Sequence, residues 1–281
     1  MGLTRPTAIR TLLITGGMGQ IGRKLRRQMS ARFEHVRILD RVDGGDLAAN
    51  EEIILGDIAD LAAVDAAMAG VDGVIHMAGI NHDADFETIL QSNVVGTWNI
   101  YDSARRHGVG RIVYGSSNHA VGFYPRHQRI DATVLPRPDS CYGLSKCWGE
   151  AVGALHADKY GIASLHLRIG NAADTPGNAR SLKLWISARD LAQLCMIGLE
   201  HPDIHNTIVY GVSANSGSWY DNAEAERLGY SPQDSADEYT EAVMAAEAGV
   251  TRPPVALYFQ GGDFCAQGYT GSALPPLEPG A

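Results

Sequence analysis

Short apolar runs alternate with stretches of helical periodicity along most of this chain. Thr11-Leu12-Leu13-Ile14-Thr15 is a β-branched run of strand length, and Ile21, Leu25 and Met29 then recur at helical spacing. Val36-Arg37-Ile38-Leu39, ending in Asp40, and Ile53-Ile54-Leu55-Gly56-Asp57 read as the next two strands, with a short helix over Leu61 to Met68. Gly73 to Gly79 predicts a fourth strand that closes on small residues. Phe86, Ile89, Leu90, Val94, Trp98, Tyr101 and Ala104 predict one long helix to about His107, which Gly108 ends. Arg111 to Tyr114 reads as a fifth strand, a helix carrying Tyr142 and Lys146 runs to about Tyr160, and Ala163 to Arg168 is a sixth strand. Strands separated by helices predict an α/β fold, a doubly wound parallel sheet with right-handed crossovers.

Beyond residue 170 the periodicity loosens. Ala188 to Leu199 and Ala236 to Ala248 read as helices and Thr207 to Gly211 as a strand, while the tail from Arg252 is rich in Gly and Pro and predicts little regular structure. The expected organisation is a nucleotide-binding domain over residues 1–170 and a small C-terminal substrate lobe with its tail over 171–281, packed as one unit.

The first strand runs into Gly16-Gly17-Met18-Gly19-Gln20-Ile21-Gly22, which contains G-x-G-x-x-G and also G-x-x-G-x-x-G. Strand, glycine turn and helix in this order make the context of a Rossmann-like dinucleotide site. The glycines permit a tight turn and close approach of backbone to pyrophosphate, and the helix N-terminus at Gln20 and Ile21 offers N–H groups to the charge. Asp40 closes the second strand, where a carboxylate hydrogen-bonds the ribose hydroxyls and repels a 2′-phosphate; this favours NAD. Arg41 beside it is the residue type that accepts a 2′-phosphate, so NADP stays open at this position. Ligands of such sheets lie at the carboxyl ends of the strands, and the glycine turn, Asp40, Asp57, Gly79, Ser117 and Asn171 all fall there.

Tyr142 and Lys146 lie four apart on a helix and share a face. A phenol is a poor base at neutral pH, and a nearby ammonium stabilises its ionised form. With 11 Tyr and four Lys in 281 residues, the spacing arises by chance roughly 0.16 times in such a chain. A Tyr tuned in this way can exchange a proton with a substrate hydroxyl.

The net charge of −9 removes the basic face that a nucleic-acid partner requires. Cys141, Cys147, Cys195 and Cys265 show neither a C-x-x-C pair nor a metal-ligand spacing, so no metal and a reduced, cytoplasmic protein are expected. There is no apolar run of membrane-spanning length, and Met1 to Arg10 lacks the apolar core of a signal peptide.

Together these landmarks, over residues 11 to about 230, resemble the extended short-chain dehydrogenase/reductase superfamily. The resemblance implies Tyr142 as general acid/base, Lys146 as its partner and ribose anchor, and Ser117 as the group that orients the substrate hydroxyl. It implies an NAD site formed by Gly16, Gly17, Gly19, Gln20, Ile21, Gly22, Asp40, Asp57, Ile58, Ala78, Gly79 and Asn93 with Tyr142 and Lys146. Asp57 could equally cap the helix that follows it.

Ser116-Ser117-Asn118-His119-Ala120-Val121-Gly122-Phe123-Tyr124-Pro125 and Arg137-Pro138-Asp139 narrow the likeness, as do Arg168-Ile169-Gly170, Asn178 to Leu182, Trp219 to Asn222 and Phe259-Gln260-Gly261-Gly262. They are similar to bacterial uronate dehydrogenases, which oxidise D-galacturonate and D-glucuronate at C1 to the aldarolactone. That likeness implies sugar contacts from Ser117, Asn118, His119 and Tyr142, an Arg180 clamp on the C6 carboxylate, and a homo-oligomer. Asn81 and Asn171 stand where the family carries serines, which bears on which uronate is taken. Two other classes fit parts of the pattern. A nucleotide-sugar epimerase or dehydratase uses the same Tyr and Lys, but only 135 residues follow Lys146 here (281 − 146) to build a nucleotide pocket. A non-catalytic NAD sensor needs no Ser117, Tyr142 and Lys146 together.

Overall fold

Alternation within the strands places side chains on both faces of the sheet, and each face is covered by helices. The computed structural model describes residues 8–271 and 274. Seven parallel strands, β1 (Thr11–Thr15), β2 (His35–Asp40), β3 (Glu51–Leu55), β4 (Gly73–His76), β5 (Arg111–Ser117), β6 (Ala163–Ile169) and β7 (Asn206–Gly211), form one sheet in the order β3-β2-β1-β4-β5-β6-β7. The order reverses between β1 and β4, and such a reversal opens a crevice at the carboxyl ends of the strands. In β1, Leu12 and Ile14 face one side and Leu13 the other, the period of two that a pleated strand imposes.

The Leu12 side packs against α1 (Gln20–Met29) through Leu25 and Met29, and later in the chain against Leu191, Leu194 and Leu199. The Leu13 side packs against α2 (Leu61–Met68) and against the long helix expected from Phe86. That helix is interrupted. It runs as α3 (Phe86–Ile89), a π-turn over Leu90–Val95, and α4 (Gly96–His107), which ends at Gly108 in the left-handed conformation. Its buried face carries polar residues that the apolar pattern did not mark. Asn99 Nδ2 donates to the Ile58 and Ala59 carbonyls at 3.0 and 3.1 Å, and Ser103 Oγ donates to Asp65 at 2.5 Å.

Ser140 caps α5 (Cys141–Tyr160) by accepting from Gly143 N at 3.0 Å. Asn178 caps α6 (Ala179–Leu184), and Ser187 caps α7 (Ala188–Glu200), the helix that covers the Leu12 side. β7 pairs with β6 from Ser164↔Asn206 to Ile169↔Gly211, so residues beyond 170 complete the sheet. α8 (Ala223–Arg227) packs back on the sheet core through Ala225, and what stands off is a lobe of α6, a 3-10 turn at Ala236–Tyr239 and α9 (Thr240–Ala246), joined through Leu182, Ala236 and Val243. The Gly/Pro-rich tail is more ordered than its composition implies. It forms α10 (Pro254–Tyr258) and α11 (Asp263–Ala266), and Phe259 forms an antiparallel bridge with Pro125. No helix among the described residues is long and apolar enough to cross a membrane.

Candidate active site

A cleft of about 550 Å³ opens over the carboxyl ends of β1, β2, β4, β5 and β6. Its floor is the glycine turn. Gly16 has φ +69°, and a Cβ there would come within 2.7 Å of Ala78 N. Gly22 lets α1 pass against the turn, because a Cβ there would lie 2.1 Å from the Gly16 carbonyl oxygen. Gly19 begins α1 without any side-chain cap, unlike α2, α5 and α7, and no acidic residue stands in the first turn. The N–H groups of Gln20 and Ile21 therefore reach the cleft wall without a capping partner. An uncapped helix end beside a glycine turn fits a pyrophosphate.

Asp40 and Asp57 close that end of the cleft. The Asp40 carboxylate accepts from Met18 N at 2.9 Å and Arg41 N at 2.8 Å, which ties it to the glycine turn. The exposed Arg41 guanidinium leans toward Asp57 at 3.7 Å. Asp57 accepts from Ala59 N at 2.9 Å and so caps the turn that follows it, while Asp60 is the cap of α2. Ile58, Ala78 and Gly79 line the same wall; Gly17 does not, and instead packs its Cα toward Ile38. Ala78 is held by Thr15, whose hydroxyl accepts from Ala78 N at 3.2 Å and meets His76 Nδ1 at 2.7 Å.

Asn93 sits within the π-turn and faces away from the cleft. Its Oδ1 accepts from Ile80 N at 2.8 Å, and its Nδ2 donates to Ile80 O and to Ser145 Oγ at 2.9 and 3.0 Å. It braces the loop after β4 against α5, with both Nδ2 hydrogens engaged there and one lone pair of Oδ1 left over.

Ser117, Tyr142 and Lys146 meet on the opposite wall. Ser117 is the last residue of β5, and the other two project from the first turns of α5. Lys146 Nζ donates to the Gly115 carbonyl at 2.7 Å and lies 5.5 Å from the centre of the Tyr142 ring. Burial pulls Lys146 down to about 8. Burial also pushes the Tyr142 phenol up to about 12, against the Ser117 hydroxyl, which draws it down. Burial is thus the largest influence on Tyr142. His76 behind them is driven to about 3, by burial first and then by Lys146.

The far end of the cleft holds the remaining expected residues. Asn81, Asn171 and His119 line it, and Asn171 Oδ1 is buried with no hydrogen-bond partner. His119 Nδ1 meets Asp139 Oδ2 at 2.6 Å, and the ring stacks on Phe264 at 4.0 Å. Asn118 lies behind the wall. In the amide orientation that satisfies both ends, its nitrogen donates to Ile169 O at 3.1 Å and its oxygen accepts from Arg180 Nη2 at 2.7 Å. Asn118 thus holds Arg180 in place and is not among the residues that line the cleft. Arg180 Nε donates to Gln260 O at 2.6 Å, so its side-on edge is taken and its Nη1 end is the one left open among the described residues. Asp139, Gln260, Phe264 and Asp83, whose Oδ1 is buried without a partner, were not singled out as site residues from the sequence.

A family model, the NAD dependent epimerase/dehydratase family, matches residues 12–173. Uronate dehydrogenase of Pseudomonas putida is 43% identical over 263 residues, covering 93% of this chain and 98% of that protein. The chain belongs to the uronate dehydrogenase family. Its backbone follows that of a glucuronic acid dehydrogenase from Chromohalobacter salexigens with a TM-score of 0.88 and 41% identity, over 92% of this chain and 97% of the other. A variant of uronate dehydrogenase from Agrobacterium tumefaciens, complexed with NAD, gives a TM-score of 0.87 and 38% identity over 92% and 98%.

Proposed function

We propose that the protein oxidises a free hexuronate, D-galacturonate or D-glucuronate, at C1 with NAD to give the aldarolactone. The observation that carries the reading is the Arg180 guanidinium, which Asn118, the residue after Ser117, and the Gln260 carbonyl hold behind the residues that line the cleft, close enough to His119 to act on its charge and with Nη1 unengaged among the described residues. Its open Nη end suits a carboxylate, because a charged hydrogen bond of this kind is about twice as strong as a neutral one.

Bound NAD supplies the hydride acceptor. The glycine turn and the first N–H groups of α1 would hold its pyrophosphate, and Asp40 would hold the adenosine ribose. Ser117 orients the anomeric hydroxyl, and Tyr142 takes its proton. Lys146 stabilises the phenolate from across the ring. C1 already carries the ring oxygen, so loss of hydride from C1 and of the proton from its hydroxyl leaves a lactone carbonyl with the ring closed. The four cysteines form no disulfide, and this together with a nicotinamide co-substrate supports a cytosolic location. Trp98, Leu144, Trp148 and Leu155 expose apolar surface on neighbouring α4 and α5, which supports self-association through that face. Charge placed at Trp148 should then reduce the mass seen by light scattering.

The deciding experiment follows NADH absorbance with free uronates, galactose, glucose 6-phosphate and UDP-sugars. A site built for a charge rejects the neutral analogue, so galacturonate should exceed galactose in kcat/KM by at least ~10³. Arg180→Lys should not restore an Arg180→Ala loss, since a single ammonium cannot bond the Gln260 carbonyl and the Asn118 amide as the guanidinium does and still reach a carboxylate. Comparable rates on galactose and galacturonate, or an unchanged galacturonate KM in Arg180→Ala, would refute the assignment. Turnover of UDP-sugars in preference to free uronates would favour the epimerase reading.

A further inference from the structure

His119 is held on three sides. Its backbone N donates to Ser117 Oγ at 3.2 Å, its Nδ1 meets Asp139 Oδ2 at 2.6 Å, and Phe264 of α11 stacks on its ring at 4.0 Å and 21°. Its fourth side is the cleft, where Nε2 has no partner among the described residues.

The Asp139 carboxylate is itself enclosed. Its side chain is 0% exposed, and its Oδ1 accepts from Ser140 Oγ at 2.9 Å. A Cβ added at Gly122 would come within 1.9 Å of Oδ2, and one at Gly261 within 2.0 Å. Two segments far apart in the chain thus bring bare backbone against this one oxygen, which meets His119 at 2.6 Å and accepts a longer contact from the Cys265 thiol at 3.9 Å.

A carboxylate can only accept, so the proton of a neutral His119 must sit on Nδ1. Nε2 is then a bare lone pair facing the cleft. The charged groups around the ring act on it from four elements. Asp139, in the segment before α5, and Asp83, in the loop after β4, raise its pKa; Arg180 on α6 lowers it, and Tyr142 on α5 stands edge-on. Burial outweighs these and moves the imidazole below its ordinary value, which keeps it neutral near pH 7.

We infer that Asp139 is a positioning residue of the substrate site: it fixes the His119 tautomer in which Nε2 accepts a hydrogen bond from a sugar hydroxyl, while Phe264 of the C-terminal tail holds the ring in that orientation. This rests on the proposed placing of a sugar beside Ser117 and Tyr142. An imidazole in this state binds a hydroxyl donor and turns away a carboxylate. The uronate must therefore lie with a hydroxyl at His119 and its carboxylate at Arg180, which sets the direction of the ring in the cleft.

The test compares Asp139→Asn, Phe264→Leu and His119→Ala with the parent protein, reading uronate KM, NAD affinity and the pH profile of kcat/KM. Asp139→Asn is nearly isosteric. It should raise uronate KM by about tenfold with NAD affinity kept. It should also move the acid limb of kcat/KM to lower pH, because the carboxylate that raised His119 is gone while Arg180 remains. Phe264→Leu should raise KM and leave that limb in place. An unmoved limb in Asp139→Asn, or a loss shared equally by NAD affinity, would overturn the inference and leave Asp139 a packing residue. If His119→Ala leaves uronate KM unchanged, the placing of the sugar itself fails. If His119→Ala raises KM and Asp139→Asn does not, only the role of Asp139 fails.

Discussion

Two glycines in one turn should fail in opposite ways when each gains a methyl group. At Gly22 the added Cβ would lie 2.1 Å from Gly16 O and 2.5 Å from Gly17 Cα. Both neighbours are backbone, so no rotamer relieves the overlap and α1 must shift from the sheet. Overpacking of this kind costs about 1–3 kcal/mol and at times more. At roughly 2–4 °C per kcal/mol for a chain of this size, Gly22→Ala should lose about 6–12 °C in Tm at the upper end of that cost. At Gly19 the nearest atom to an added Cβ is Gly16 O at 3.2 Å, and φ −72°, ψ 173° is open to any residue. The protein should fold normally with alanine there. The methyl group would, however, stand on the cleft wall at the uncapped end of α1, where it displaces the pyrophosphate from one N–H. A charge-assisted hydrogen bond is worth about 1.5–3 kcal/mol, so NAD should bind roughly 10- to 150-fold more weakly. Thermal melts without ligand and calorimetric titration with NAD separate the two effects. An equal Tm loss in both variants, or an unchanged NAD affinity in Gly19→Ala, would refute this division of labour.

Tyr142→Phe should lower kcat by about 10²–10⁴ while NAD still binds, and the parent rate should climb with pH, because burial holds the phenol at about 12 and only the phenolate can act as base; near-normal turnover or a rate falling with pH would remove Tyr142 from that role. Asp40→Ala should raise the NAD KM about tenfold and narrow the preference over NADP, since it also releases the Met18 N–H that the carboxylate holds at 2.9 Å; a parent enzyme preferring NADP would contradict this. Lys146→Met should abolish turnover yet stabilise the ligand-free fold near pH 7, because burial lowers Lys146 from 10.5 to about 8, a penalty of roughly 3 kcal/mol on the charged form. Between about pH 8 and 10.5 the unfolded chain holds that proton and the folded one does not, so the parent should gain stability with rising pH and the gap should close; denaturant melts across that range check it.

What could be read from the sequence was local. The glycine turn, Asp40 and the Tyr142/Lys146 pair are short-range patterns, in which spacing along one strand or helix already fixes which side chains share a face. The interrupted helix was harder to read, because its buried stripe is polar. Asn93, Thr97, Asn99 and Ser103 are buried by bonding loop backbone and buried side chains, while Phe86 and Trp98, counted toward the apolar repeat, are exposed. The substrate end was legible only as single residues. Arg180 meets Gln260 across 80 positions, and His119 meets Asp139 across 20. Nothing in the spacing of one partner points to the other. Asn118 stands beside His119 in sequence, yet the turn at the end of β5 sends one toward the cleft and the other behind it, a division that backbone geometry alone decides.

The return of the tail to the cleft has a consequence for the order of events on the ribosome. Every residue expected at the cofactor lies before position 171, whereas the residues that anchor Arg180 and stack on His119 come at 260 and 264. A nascent chain can acquire the nucleotide half of its site well before translation ends. The sugar half is assembled last, when α11 emerges and folds back. On the proposed reading, a chain ending near residue 250 should keep coenzyme affinity and lack turnover, so that a binding screen scores it as intact and an activity screen does not.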